Sequence, residues 1–430
     1  MAFLNPNIRK LKPSATLLIN QKIKEWRNKG RTIYHFGFGQ SPFPVPNAVV
    51  EALKEHATAN SYLPTEGLPA LRTAIASFLR THQAVDANEQ SVFIGPGSKE
   101  LLYQSILLMD ATYLIPKGSW VSYVPQTTLA SKPHVVMQTK IEHNFKLQPE
   151  VLDDTCKKIG EGSKVLIINS PNNPTGAVYS LAELEQLAGV CRSHNVIVFS
   201  DEIYSQLTFS AAHATSFASV YPENTLVFGG LSKVFSAGGY RLGFVHLPPA
   251  LNFLTESYSA LFSETFSAVS APIQYAAIPA FHFSKEVEDH VANSKVILHA
   301  LGGFVYENLK TAGVRCTLPE GGFYIMVDFG RFNDTIKSLG VKNSTELAHL
   351  ILDDYDVALL PGTDFCFEPR EWVFRLAYVD FDGKKAMNAY QKNKNMPLDL
   401  KFIKTFAPNV YNGVQKLIDL TDWLREHKTV

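Results

Sequence analysis

The sequence predicts an α/β fold: a large domain built on a mostly parallel sheet sandwiched by helices, plus a smaller α+β domain formed from the two termini. Three observations carry this. Between residues 91 and 246, short β-branched and aromatic runs alternate with helical periods, the pattern of a sheet covered on both faces. After about residue 284 the alternation stops and a long helical stretch, 285–312, begins. Beyond it, Gly321-Gly-Phe-Tyr-Ile-Met-Val-Asp328 and Trp372-Val-Phe-Arg-Leu-Ala377 read as strands of a second, antiparallel sheet.

In chain order, residues 16–30 read as an amphipathic helix with Leu17, Leu18, Ile23 and Trp26 among Lys and Glu. Segment 33–39 is extended, with glycines at alternate positions near its end, and Pro42, Pro44 and Pro46 then force an irregular loop. Asn47 is placed to cap a helix over 48–58. Loop 60–67 leads to a helix from Pro69 to about Arg80, where a proline in the first turn gives up no helical hydrogen bond. Strand 91–94 runs into Gly95-Pro-Gly-Ser98 and a helix to about Met109. Such a turn can offer free N–H groups to an anion or be merely a turn. Strand 112–115 follows, then strand 164–169, ending in Ser170-Pro-Asn-Asn-Pro-Thr-Gly176. Helix 181–193 leads to strand 196–200, which ends at Asp201-Glu-Ile-Tyr204. Strand 225–229 enters a glycine-rich loop, and 243–246 reads as an antiparallel return. Helix 344–355 and a final helix near 410–426 would cover the second sheet.

Composition narrows the class. Lys+Arg and Asp+Glu are both 40, so there is no electrostatic footprint for nucleic acid or a membrane surface. Hydrophobic residues make up 46%, enough to bury a large core, and no apolar run reaches the length of a membrane span. The four cysteines are scattered without metal-ligand spacing, so no metal is expected. With no signal-peptide block at the N-terminus, they fit reduced thiols in a cytoplasmic protein.

The chemistry centres on Gly229-Gly-Leu-Ser-Lys-Val-Phe-Ser-Ala-Gly-Gly-Tyr-Arg-Leu-Gly243. A lysine amine forms Schiff bases with carbonyl compounds, pyridoxal phosphate among them, once burial or neighbouring charge lowers its pKa. Arg241, eight positions after Lys233, can grip a phosphate with its planar fork. Read alone, Lys233 is a surface residue, Asp201 a turn or cap, Asn173 a turn former and Trp120 a core aromatic. Asn173, Asp201, Lys233 and the Gly97–Ser98 turn, however, fall at the carboxyl ends of predicted strands, where open α/β sheets bind ligands.

Together Asn173-Pro-Thr-Gly176, Asp201-Glu-Ile-Tyr204, and Ser232-Lys233 with Arg241-Leu-Gly243 resemble the pyridoxal-phosphate aminotransferases of fold type I, in the aspartate/aromatic aminotransferase (class I/II) family. The resemblance runs from Leu11-Lys-Pro-Ser-Ala-Thr16 to Arg375. It implies a seven-stranded large sheet, a large domain over 48–286, and a small domain from 1–47 and 287–430. It implies that Lys233 holds the cofactor as an internal aldimine and then moves the substrate Cα proton. Asp201 would pair with the pyridine nitrogen, and Tyr204 and Asn173 would hydrogen-bond the phenolate oxygen. Ser232, Arg241 and the backbone of Gly97, Ser98 and Lys99 would bind the phosphate, with Trp120 stacked on the ring. Tyr62 would reach the phosphate of a neighbouring subunit, which implies a homodimer with shared sites. Arg375, with the amide of Gly39 and with Asn173, would grip the substrate carboxylate.

The implied activity is transfer of an amino group from an L-amino acid to a 2-oxo acid. A related enzyme such as a C–S lyase or a cyclopropane-carboxylate-forming synthase shares the same constellation. A regulator would need a DNA-binding segment before Ile33, and a dead scaffold would not need Lys233, Asp201, Arg241 and Arg375. Tyr34, Phe36 and Phe38 near the entrance lean towards aromatic or apolar substrates. The chain departs from the family at Gly230, where a serine is usual, at Gln40-Ser-Pro42, and in a longer stretch over 384–410.

Overall fold

The computed structural model describes residues 3, 5–9, 11, 15–210 and 215–427. Lys12-Pro-Ser14 and the side chains of Leu17 and Leu18 lie outside the described residues. Strand β1 (Tyr34–His35) is followed by the seven strands of the large sheet. These are β2 (Val92–Gly95), β3 (Thr112–Pro116), β4 (His134–Met137), β5 (Lys164–Asn169), β6 (Ile197–Asp201), β7 (Thr225–Gly230) and β8 (Gly243–His246). Their order is β2-β8-β7-β6-β5-β3-β4. All neighbours run parallel except the two made by β8, which is antiparallel to both β2 and β7. The expected return strand is thus the one inserted beside β2.

Every residue of β5 and β7 is buried, which is why these runs are almost wholly apolar instead of alternating. The β5-to-β6 crossover is helix Leu181–Ser193, and its start is fixed by a capping box. Ser180 accepts from the Glu183 N–H while the Glu183 carboxylate accepts from the Ser180 N–H. Register pairs Asn169 with Asp201 and Asp201 with Phe228, so the ends of three neighbouring strands lie side by side.

The second sheet contains β9 (Arg315–Cys316), β10 (Tyr324–Asp328), β12 (Leu360–Pro361) and β13 (Val373–Ala377), all antiparallel, in the order β12-β13-β10-β9. The remaining strand, β11 (Val357–Ala358), runs parallel to β1, tying the N-terminal segment to this part of the molecule. Helices Lys285–Thr311, Ser344–Tyr355 and Pro408–Glu426 surround it, close to the predicted spans.

Some expectations need correction. Asn47 is the first residue of helix Asn47–Glu55 and caps nothing; the cap position is Pro46, with no side-chain bond. Of segment 33–39 only β1 is strand. Phe36 is not at the entrance: it is fully buried and packs against the backbone of Gly413, where a side chain would overlap its ring. The long stretch over 384–410 folds as helices Gly383–Lys392 and Leu400–Phe406. Asp399 caps the second through the N–H groups of Lys401 and Phe402, and Met387, Phe402 and Ile403 join the main core.

Candidate active site

The carboxyl ends of β5, β6 and β7, the start of helix Ser98–Leu108, the 37–40 segment and the second sheet enclose a cavity of about 630 Å³. Asp201 closes its floor, buried at 3% exposure. Its Oδ2 accepts from the Tyr123 hydroxyl at 2.7 Å. Burial pushes this carboxyl up to about 6 despite the Tyr123 hydrogen bond. Asn169 aligns the neighbouring loop: its side chain donates to the Asp201 carbonyl at 2.7 Å and accepts from the Asn173 N–H at 2.8 Å.

Lys233 lies just past β7, in the loop that returns to β8. Its Nζ donates to the Gly39 carbonyl at 2.7 Å. Burial, reinforced by Arg375 and Arg241, lowers this amine to about 8. Roughly a tenth of the amine is therefore free base at pH 7, a far larger share than an ordinary lysine offers, as a nucleophile and proton carrier needs.

Arg241 sits at the opposite side of the cavity in a left-handed conformation, φ 54°. Among the described residues its guanidinium donates to the carbonyls of Gly238 at 2.9 Å and Pro96 at 3.3 Å, and weakly to Ser232 Oγ at 3.5 Å. Gly97, at φ 99°, lies against this guanidinium, and a Cβ there would overlap it. A fork held by neutral oxygens beside the start of a helix is an anion site in chemical terms.

Arg375 enters from β13 and is 4% exposed. Its Nη1 donates to Asn173 Oδ1 at 3.1 Å and its Nη2 to the Gly37 carbonyl at 2.6 Å. Nε is buried without a partner. Its planar face lies over the rings of Tyr324, at 4.8 Å, and Phe365, at 5.3 Å. A buried guanidinium whose Nε has no hydrogen-bond partner among the described residues, and for which burial outweighs the attraction of Asp364, is prepared for an incoming carboxylate.

Of the predicted residues, Gly39, Ser98, Lys99, Trp120, Asn173, Asp201, Tyr204, Ser232, Lys233, Arg241 and Arg375 line this cavity. Gly97 flanks it behind Arg241. Tyr62 does not line it: in this chain it stands 94% exposed on the 60–67 loop. Three residues that the sequence reading passed over complete the site. Tyr123 binds Asp201, Asn169 sets the Asn173 turn, and Tyr324 reaches across from β10 to Tyr204 at 2.9 Å, hydroxyl to hydroxyl. The only signal for Tyr123 was its place three residues after Trp120.

The profile "Aminotransferase class I and II" matches residues 31–382. The aspartate aminotransferase of Geobacillus stearothermophilus is 32% identical over 84% of this chain and 91% of its own length. The probable aspartate/prephenate aminotransferase of Aquifex aeolicus is also 32% identical, over 83% of this chain and 89% of its own. Among solved structures, aspartate aminotransferase from Thermus thermophilus with maleate superposes with a TM-score of 0.83 at 25% identity, covering 97% of this chain and 100% of that one. No described helix is long and apolar enough to cross a membrane.

Pyridoxal phosphate is the cofactor of this family, and the cavity fits it on three counts. A buried carboxylate awaits a cationic ring nitrogen, a carbonyl-held guanidinium beside a helix start awaits a phosphate, and a lysine of lowered pKa awaits an aldehyde. The chain belongs to the class I and II aminotransferases, enzymes that transfer amino groups between amino acids and 2-oxo acids.

Proposed function

We propose that the cavity transaminates acidic L-amino acids, with residue roles as follows. Lys233 would hold the cofactor, and its Nζ, when free, would take the proton from the substrate Cα. Asp201, held by Tyr123, stays ionised against the ring nitrogen. Asn173 and Tyr204 bind the ring oxygen, and Trp120 stacks on the ring. Arg241, Ser232, Ser98 and the amides of Gly97, Ser98 and Lys99 bind the phosphate. When bound, pyridoxal phosphate withdraws electrons from the substrate Cα, and the chain supplies orientation and proton transfer. Arg375, Asn173 and Gly39 fix the α-carboxylate, which sets the Cα–H bond relative to the ring.

The observation that carries this reading is the buried guanidinium of Arg375, with its Nε unpartnered among the described residues, in the same cavity as Lys233 and Asp201. The acidic side chain rests on Lys99. Its amine lies 5.0 Å over the Trp120 ring and, among the described residues, pairs with no carboxylate. With Lys233, Arg241 and Arg375 already occupied, Lys99 is the cation left for a second substrate carboxylate. The names of the relatives, and the dicarboxylate maleate in the Thermus structure, point the same way. The aromatic preference expected from Tyr34, Phe36 and Phe38 loses support, because only Phe38 lines the cavity.

Tyr62 supports a homodimer in which its exposed ring completes the partner's phosphate site. Four free cysteines are compatible with the cytoplasm. Confinement of all seven large-sheet strands to 92–246 supports division into a large domain, 48–286, and a small one, 1–47 with 287–430. The test is single-turnover bleaching of the cofactor's visible band by individual L-amino acids, followed by recovery with a 2-oxo acid. L-Aspartate or L-glutamate should bleach it fastest, and Lys99→Met should cut that rate at low substrate about 10- to 100-fold while sparing L-alanine, the loss expected for a charged hydrogen bond. No bleaching by any amino acid, or Lys99→Met slowing L-alanine equally, overturns the respective reading.

A further inference from the structure

Tyr324 is absent from the roles above, yet it occupies the junction of the site. It is 1% exposed on β10 and reaches the cavity from the second sheet. Its hydroxyl lies 2.9 Å from the Tyr204 hydroxyl and donates to the Gly39 carbonyl at 3.3 Å. The same carbonyl accepts from Lys233 Nζ at 2.7 Å. The Tyr324 ring also supports the Arg375 guanidinium, at 4.8 Å. The fit is close: a Cβ on Gly39 would overlap the Tyr324 hydroxyl, so the backbone approaches only because residue 39 is glycine.

A phenol has one proton to give and lone pairs to accept with. Gly39's carbonyl can only accept. Its two lone pairs accept from Lys233 and Tyr324 together, so the Tyr324 proton points to Gly39 and the Tyr324 oxygen is left to accept from Tyr204. When Lys233 is engaged elsewhere, the carbonyl keeps the Tyr324 proton, and the Tyr324 oxygen still accepts from Tyr204. We propose that Tyr324 is a positioning residue for Tyr204: with its own proton directed to the Gly39 carbonyl, its oxygen accepts from the Tyr204 hydroxyl and competes for that proton with a ligand oxygen bound in the cavity. The inference rests on the role given above to Tyr204 at the ring oxygen. The other groups facing this corner are Asp201, Arg375, Arg241 and Lys99. None of them has a hydrogen bond to both Tyr204 and Gly39 among those described.

In the cofactor-loaded protein the Tyr324 oxygen would compete with the cofactor's ring oxygen for the Tyr204 proton. Removing it should strengthen the Tyr204 bond to the ring oxygen. The test is a pH titration of the visible band of loaded wild type, Tyr324→Phe, Tyr204→Phe and the double variant, with Tm measured alongside. Tyr204→Phe should raise the transition pH. Tyr324→Phe, which keeps the ring, should lower it by about half to one pH unit, the scale of one hydrogen bond. Tyr324→Phe should add nothing in the Tyr204→Phe background. An unchanged or raised transition in Tyr324→Phe, beside a raised one in Tyr204→Phe, overturns the inference and leaves the Tyr204 role standing. An unmoved transition in Tyr204→Phe overturns that role instead. An equal Tyr324→Phe shift in both backgrounds also overturns the inference, and a fall in Tm alone assigns Tyr324 to packing.

Discussion

Tyr123→Phe tests how the floor of the site is charged. The Asp201 carboxyl is buried, and burial drives it up to about 6. Its strongest support is the Tyr123 hydroxyl at 2.7 Å, since the N–H of Ile203 reaches Oδ1 only at 3.4 Å. A hydrogen bond to a charged group contributes ~1.5–3 kcal/mol. At 1.36 kcal/mol per unit, losing it raises the carboxyl by about one to two pH units. The ring of the variant still packs edge-on against Trp120, 5.4 Å between centroids, so the change is confined to the hydroxyl.

Pairing with a cationic ring nitrogen requires the ionised carboxylate. Cofactor affinity is therefore full above the Asp201 pKa of the free protein and falls as pH drops through it. For the wild type that decline centres at about 6. In Tyr123→Phe it moves to about 7–8, so at pH 7 the dissociation constant rises about two- to tenfold, and it returns to the wild-type value near pH 9. The assay is titration of apoprotein with pyridoxal phosphate between pH 5.5 and 9, read as the ratio of the two dissociation constants, in which the cofactor's own ionisations cancel. A ratio constant across the whole range would mean that Tyr123 acts by packing and would refute the electrostatic argument.

Two further outcomes follow from the same geometry. Arg375→Lys keeps a charge but loses the fork, at a cost of ~1.5–3 kcal/mol, or about ten- to 150-fold in kcat/KM of the half-reaction with an amino acid. An amine lacking a carboxylate should lose under about threefold, and equal losses would show a damaged cavity instead of a lost carboxylate contact. Second, Lys233 attacks as the free base, and its folded pKa of about 8 lies below the ordinary 10.5. The rate at which apoprotein links pyridoxal phosphate should rise about tenfold per pH unit up to about 8 and level above it; stopped-flow absorbance showing a midpoint near 10 would contradict the lowered pKa.

What the sequence disclosed, and what it hid, divides along physical lines. Strands β5 and β7 were legible because a strand buried on both faces is a continuous apolar run, and helix Leu181–Ser193 because Ser180 and Glu183 spell a capping box. Strand β4 went unread: it is a half-buried edge strand of four residues, and the seven-residue helix Tyr123–Leu129 is too short to show a period. At the site, the residues found lie in short motifs at strand ends. Tyr324 lies in a strand that was predicted, but its partner Tyr204 is 120 positions away and no local pattern encodes that meeting. Phe36 and Phe38 carry the same side chain two residues apart; Phe36 is buried against Gly413, far along the chain, while Phe38 is exposed.

The charge in the cavity bears on specificity. The chain is neutral overall, with 40 basic and 40 acidic residues, yet Lys99, Lys233, Arg241 and Arg375 line one cavity with Asp201 as their acidic neighbour there. With Lys233 protonated the local surplus is three positive charges. The phosphate of the cofactor carries about −2, as phosphate monoesters do, the ring nitrogen +1, the ring oxygen −1, and the proposed dicarboxylic donor −1 at each carboxylate and +1 at its ammonium. That sum is about −3, which matches the surplus. A donor with one carboxylate leaves a positive charge unmatched at Lys99. Because the chain has no net charge to attract anions from a distance, the discrimination must act within the cavity, at contact range, where fixed donors are least screened by salt. Specificity is then expected to follow the placement of one flexible amine over Trp120, and to change with residue 99 more readily than with the rest of the surface.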